Sequence, residues 1–198
     1  CAPSTQILRR EMSDLTITNA GVAVSANSAG SSISTGRRKI IRVTPVLDTS
    51  EYAIGDVLFN SVAIPNAVKE IGGCSKLVAM FVLNQSVSDI DVDFIFSENS
   101  LTLGTQNETA GIGDANMEAA NIVGFLHLDS NIGTTQSIDN SEIKRVYDAG
   151  AGDSGGSVAT PILLQAASDS TSVYVAATTS TVATHQADAI DLIFHIEY

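Results

Sequence analysis

The stretch from Ser75 to Leu103 constrains this chain most, because within it the residue pattern excludes a helix. Between Ile90 and Phe96, apolar side chains at Ile90, Val92, Phe94 and Phe96 alternate with Asp89, Asp91 and Asp93, and Ser97 follows. A period of two places an apolar row on one face of a strand and carboxylates on the other. Leu77 to Leu83 is apolar on both faces, the pattern of a strand covered on both sides. Asn84, Gln85, Ser86, Ser88 and Asp89 lie between and supply turn polarity. The expectation is a central hairpin of two strands joined by that turn.

Further strands are expected at Ile40 to Val46, Val57 to Ile64, Val123 to Leu128, Ile143 to Tyr147, Val158 to Gln165, Val173 to Thr178 and Ala189 to Tyr198. Pro45 stops the first, and Gly55-Asp56 turns into the second. Asp114, with Glu118 four residues on, predicts a capped helix of one or two turns. Eight or nine short strands with polar connections define the expected class: all-β, an antiparallel β-sandwich or jelly-roll-like body over residues 39–198. Residues 1–38 read as an extended N-terminal arm, since Thr18 to Gly36 is dominated by Gly, Ser, Ala, Thr and Asn and cannot bury enough apolar surface by itself. The short alternations Leu15, Ile17 and Val22, Val24 within it would suit strands added to another sheet edge.

A length of 198 residues can bury a substantial core, built here from Val, Ile, Leu, Ala and six Phe without any Trp. The formal net charge is −12, which argues against a nucleic-acid partner, because neutralising phosphates takes Lys and Arg in number. The charge is unevenly placed: residues 1–45 sum to +4 and the remainder to −16. A basic arm on an acidic body invites pairing within or between chains. Arg9, Arg10, Arg37, Arg38 and Lys39 are therefore the candidate contacts to a neighbouring subunit. No apolar run is long enough to span a membrane, so no membrane partner is expected. Cys1 and Cys74 are expected to be free thiols rather than a bridge, and Cys1 at the start fits either a trimmed initiator Met or a lipid-bearing terminus.

The loudest chemical motif is Gly152-Asp153-Ser154-Gly155-Gly156, which surrounds the nucleophile in chymotrypsin-like serine proteases. A serine nucleophile needs a histidine base oriented by a carboxylate. In that family the histidine lies far upstream, whereas His127, His185 and His195 are the only histidines here and residues 1–126 hold none. The motif reads instead as a flexible turn, and no enzymatic activity is expected. Asp89, Asp91 and Asp93 could meet a calcium ion but lack the glycine and glutamate of an EF-hand, and solvated carboxylates are the simpler reading. Scattered histidines give no zinc spacing, and no glycine loop cradles phosphate, so no cofactor or metal is expected. Asn84-Gln85-Ser86 and Asn107-Glu108-Thr109 match the glycosylation sequon.

Over the ninety residues from Ile40 to Asp129 an ordered series of motifs runs through the chain. It comprises Ile40, Arg42-Val43-Thr44-Pro45, Tyr52-Ala53, Gly55-Asp56-Val57, Ile64-Pro65-Asn66-Ala67-Val68, Gly72-Gly73, Ser75 and Leu77. Asp91 to Phe96, Asn107, Asp114-Ala115 and Ile122-Val123-Gly124 complete it. This series resembles small structural proteins encoded beside the major capsid protein in tailed bacteriophages. The resemblance implies a decoration or cement protein on the outer surface of the capsid in the virion, non-enzymatic, bound to the major capsid protein and commonly a homotrimer. The arm would then reach an adjoining subunit. A carbohydrate-binding or adhesin-like sandwich is the alternative, although the absence of Trp and the presence of only four Tyr leave few aromatics for stacking on sugars. A hydrolase built on Ser154 is the third reading.

Overall fold

The computed structural model describes residues 16–19, 22–25, 38–86, 90–129, 135–138, 141–146 and 161–198. The chain divides into two units, Cys1–Gly36 and Arg37–Tyr198. In the first, β1 (Thr16–Asn19) and β2 (Val22–Ser25) are antiparallel partners in the register Ile17 to Val24. The two alternations of the arm thus pair with each other.

The second unit is all-β, with antiparallel sheets packed as a sandwich. Its elements are β3 (Arg38–Val43), β4 (Glu51–Tyr52), β5 (Val57–Ile64), β6 (Cys74–Asn84), β7 (Val92–Ser97), α1 (Asp114–Ala120), β8 (Ile122–Leu128), β9 (Thr135–Ile138), β10 (Ser141–Val146), β11 (Ile162–Gln165), β12 (Val173–Thr179), β13 (Ala183–Thr184) and β14 (Ile190–Glu197). One sheet has the order β3-β14-β6-β10-β9, with β11 also on β6, and the other β5-β12-β7-β8. A small third sheet pairs β13 with β4.

The expected central hairpin does not form. β6 pairs with β14, β10 and β11, whereas β7 pairs with β12 and β8 in the other sheet. The strands themselves lie where their periodicity puts them, but alternation says nothing about the partner. β6 ends at Asn84 and β7 begins at Val92, a separation longer than a tight hairpin uses, and the two strands lie in different sheets. Both strands are central all the same. Inward-facing Leu77, Met80 and Val82 meet Val92, Phe94 and Phe96 in one buried cluster with Leu192, Phe194 and Ile196 of β14. Phe96 and Phe194 touch edge to face across the two sheets, 6.2 Å between ring centres and 82° between planes.

An irregularity on β6 keeps this core continuous. Ala79 lies opposite His195 and Leu77 opposite Ile196, so Val78 is the extra residue of a bulge. The bulge changes parity: Ser75 and Leu77 face the core before it, Met80, Val82 and Asn84 after it. The outer side of β6, with Phe81 and Leu83, is only half-buried, so the strand is not covered equally on both faces as its composition suggested. At Gly124 the sheets approach closely, since a Cβ there would stand 2.9 Å from Cγ2 of Ile162.

The outer face of the second sheet is partly covered by the chain from Glu98 to Asn121. Leu101, Leu103 and Ala120 pack on Val57 and Ala176 as a second buried cluster. The side chains of Asn60 and Ser61 of β5 accept the backbone N–H groups of Leu103 and Leu101, both at 2.7 Å, while the Ser61 and Val57 N–H groups donate to the carbonyls of Leu101 and Glu108, so the outer edge of β5 is partly paired. The helix begins at Asp114 as expected, but its N-cap is Gly113 and Asp114 makes no side-chain cap. The body unit's strands outnumber the eight or nine expected because β4, β9 and β13 are too short to show a period.

Candidate functional site

Strand register assembles the most distinctive surface on the outer face of the larger sheet. One row crosses four strands as Arg42, Ile193, Phe81 and Arg145. A second runs Arg38, Glu197, Lys76 and Leu163, and a third Asp191, Leu83 and Ile143. Ile40 stands opposite His195, whose ring lies 5.0 Å from that of Phe81. Ile40 is 66% exposed and Leu163 58%, the two most open apolar side chains of the patch. Arg38, Arg42, Lys76 and Arg145 against Asp191 and Glu197 make the face +2 on a chain of −12.

The acids on this face hold the bases in place without neutralising them. Arg42 Nη1 is 3.4 Å from Asp191 Oδ2, while Thr44 Oγ1 donates to Asp191 Oδ1. Arg38 Nε lies 3.6 Å from Glu197 Oε2. Both guanidinium groups remain mostly exposed, so such pairs contribute about 0–1 kcal/mol each and leave the cations open to a partner. The half-buried Phe81, Ile193, Leu83 and Ile143 supply apolar area between them.

Of the residues singled out from sequence, Arg38 lies on this face. Lys39 turns to the opposite, inner side of β3, half-buried beside Ile196, because adjacent strand residues alternate. The structure therefore separates two cations that sequence placed in one cluster. Arg9, Arg10 and Arg37 lie outside the described residues, as do Asp89, Ser154 and Cys1. Sequence reasoning missed Arg42, Lys76, Arg145 and their apolar neighbours. Arg42 shares the parity of Arg38 and Ile40, a usable signal; the others come from strands whose neighbours only the fold reveals.

A second cluster lies on the outer face of the smaller sheet. Asp93 of β7 accepts from His127 Nδ1 of β8 at 2.7 Å through Oδ1, and from the Ser180 hydroxyl at 2.6 Å through Oδ2. Serine, histidine and aspartate thus meet in an order unsuited to acyl transfer: the hydroxyl proton is directed to the carboxylate, and the imidazole is not bonded to the serine. Asp93 is a paired carboxylate rather than the merely solvated one expected.

Asn84 and Asn107, the sequon asparagines, are bound into the protein. Asn84 is fully buried and its Oδ1 accepts from the Ser86 N–H and hydroxyl. Asn107 Nδ2 donates to Asp48 Oδ1 at 3.2 Å, and its own Oδ1 is buried. Cys74 is an exposed free thiol. Among the described residues no group of three His, Cys, Asp or Glu could hold a metal ion, and no helix is long and apolar enough to cross a membrane.

His185 is buried with Nδ1 3.2 Å from Ser86 Oγ and its ring 5.9 Å from that of Tyr52. Burial lowers its pKa below the ordinary 6.5. The unfolded chain then binds the proton more readily than the folded one, so stability falls as pH drops from about 6.5 toward the lowered value and levels off beneath it. Urea midpoints at pH 8 and pH 5.5 should differ less in His185→Phe than in the parent protein. Equal differences would assign the acid sensitivity elsewhere.

No family model and no curated protein matches the chain.

Proposed function

We propose that this chain is a non-enzymatic decoration protein that binds the outer surface of a viral capsid and clamps neighbouring capsid subunits. The observation that carries the reading is the outer face of the larger sheet, where Ile40, Phe81, Ile193 and Leu163 lie among Arg38, Arg42, Lys76 and Arg145 on an otherwise acidic chain. Apolar side chains interleaved with cations form a docking surface for a partner that carries acidic groups among apolar ones. The motif series between Ile40 and Asp129, with its resemblance to phage decoration proteins, supplies the identity of that partner as the major capsid protein. The basic arm, including Arg9, Arg10 and Arg37, adds reach onto an adjoining subunit, and the working oligomer in this reading is a homotrimer.

Co-expression with the capsid protein encoded beside it tests the proposal. The chain should sediment with assembled shells, and Arg42→Glu combined with Arg145→Glu should abolish co-sedimentation while leaving a folded protein by circular dichroism. Light scattering should give about 62 kDa, three times the 20.6 kDa chain. Shells that assemble without taking up the parent protein, or that take up the doubly reversed variant equally well, would overturn the reading.

A further inference from the structure

A sandwich that docks by the outer face of one sheet turns the outer face of the other toward solution. On that second face, Phe125 of the edge strand β8 is 44% exposed, the one Phe among the exposed large apolar side chains of the described residues. His127 follows on the same face, about 7 Å along the strand. Across the ladder Ile95 lies opposite Phe125 and Asp93 opposite His127, with Thr178 beyond Asp93 on β12. The aromatic ring and the Asp93–His127–Ser180 cluster are therefore adjacent rows of one patch.

The polar row is oriented in advance. The Asp93 side chain is 46% exposed, yet one oxygen is held by His127 and the other by Ser180. Each carboxylate oxygen has a further lone pair for an outside donor. Because the carboxylate only accepts, His127 Nδ1 carries the hydrogen of that bond, and Nε2 of a side chain 34% exposed remains for a ligand. The patch thus offers two fixed acceptors and one imidazole nitrogen beside a partly exposed aromatic ring.

A ligand that suits all of these carries several neighbouring hydroxyls on one edge and a flat array of C–H bonds on one face. The hydroxyls donate to Asp93, and the C–H bonds lie on the negative face of the Phe125 ring. An anion would meet Asp93 on a chain of charge −12, and a purely apolar partner would desolvate that carboxylate without replacing its water. We propose that this patch binds a neutral hexopyranoside, as a free sugar or the end of a glycan. The site is separate from the docking face and stands whether or not the capsid reading holds.

The test is an amide-shift titration of the full chain with methyl glycosides of glucose, galactose and mannose, with N-acetylglucosamine, and with a sialoside as the charged control. At least one neutral sugar should give saturable shifts centred on Asp93, Phe125, His127 and Ser180. Phe125→Ala, a change at an exposed side chain, should weaken that binding about tenfold or more, and Phe125→Tyr should retain it. Asp93→Asn should weaken it comparably, checked against an unchanged melting curve. The Arg42→Glu, Arg145→Glu variant should bind sugar normally, which separates this outcome from the capsid test. No shifts with any neutral sugar, shifts mapping elsewhere, preference for the sialoside, or binding indifferent to Phe125→Ala would each overturn the proposal.

Discussion

Replacing Phe194 with alanine should lower the free energy of unfolding by about 3–5 kcal/mol, the range for losing a large aromatic from a core that cannot collapse around the gap. Phe194 is fully buried in β14, flanked by β3 and β6, so backbone pairing on both sides prevents the strand from moving in to fill the space. Its ring is also the edge-to-face partner of Phe96 in the opposing sheet. Urea unfolding should show a much lower midpoint with an unchanged slope, the sign that the native state is lost earlier and not expanded. Because the two rings touch, Phe96→Ala and Phe194→Ala should be non-additive, with a coupling of about 0.5–1.5 kcal/mol. Full additivity would mean that the sheets do not meet at this pair. The neighbours Ile193 and His195 face outward on the proposed docking surface.

Tyr52→Phe should cost about 1–3 kcal/mol although it removes a single oxygen atom. That hydroxyl is fully buried, accepts the Asp48 N–H at 2.7 Å and donates to the Leu58 carbonyl at 3.3 Å. Gln106 closes the same junction: Nε2 lies 2.9 Å from the carbonyls of Val46 and Leu58 and 3.3 Å from the Tyr52 oxygen. The Asp48 carboxylate is tied in turn, held below its ordinary pKa chiefly by the Ser50 backbone N–H, at 2.7 Å. The phenol and the Gln106 amide together therefore join the loop after β3, the start of β5 and the loop at Gln106. In Tyr52→Phe the Asp48 N–H loses its acceptor, and amide hydrogen exchange at Asp48 should accelerate along with the fall in stability. A loss under about 0.5 kcal/mol would show that water takes the place of the hydroxyl.

The strands were legible in the sequence wherever alternation ran for five residues or more, as in β7 and β14. There, inward and outward positions follow from the period alone, and burial matches it at Val92, Phe94 and Phe96 and again at Ile190, Leu192, Phe194 and Ile196. The helix start at Asp114 was legible too, although Gly113 and not a side chain caps it. The pairing of β6 with β7 was misread because proximity in sequence favours a hairpin, and only the competing partners β14 and β12 reveal a crossover. Likewise Arg38 and Lys39 looked like one patch and lie on opposite sides of one strand.

Composition and periodicity by themselves determined the class of this protein, an all-β chain with a Val-, Ile-, Leu- and Phe-rich core and a strongly acidic balance, because those are properties of local residue order. Tertiary structure alone decided which strands are neighbours. Arg42 shares one row with Ile193, Phe81 and Arg145, and Asp93 meets His127 and Ser180, through residues far apart in the chain. Both candidate surfaces are products of sheet register, which depends on the packing of the whole core and is written in no single segment of the chain.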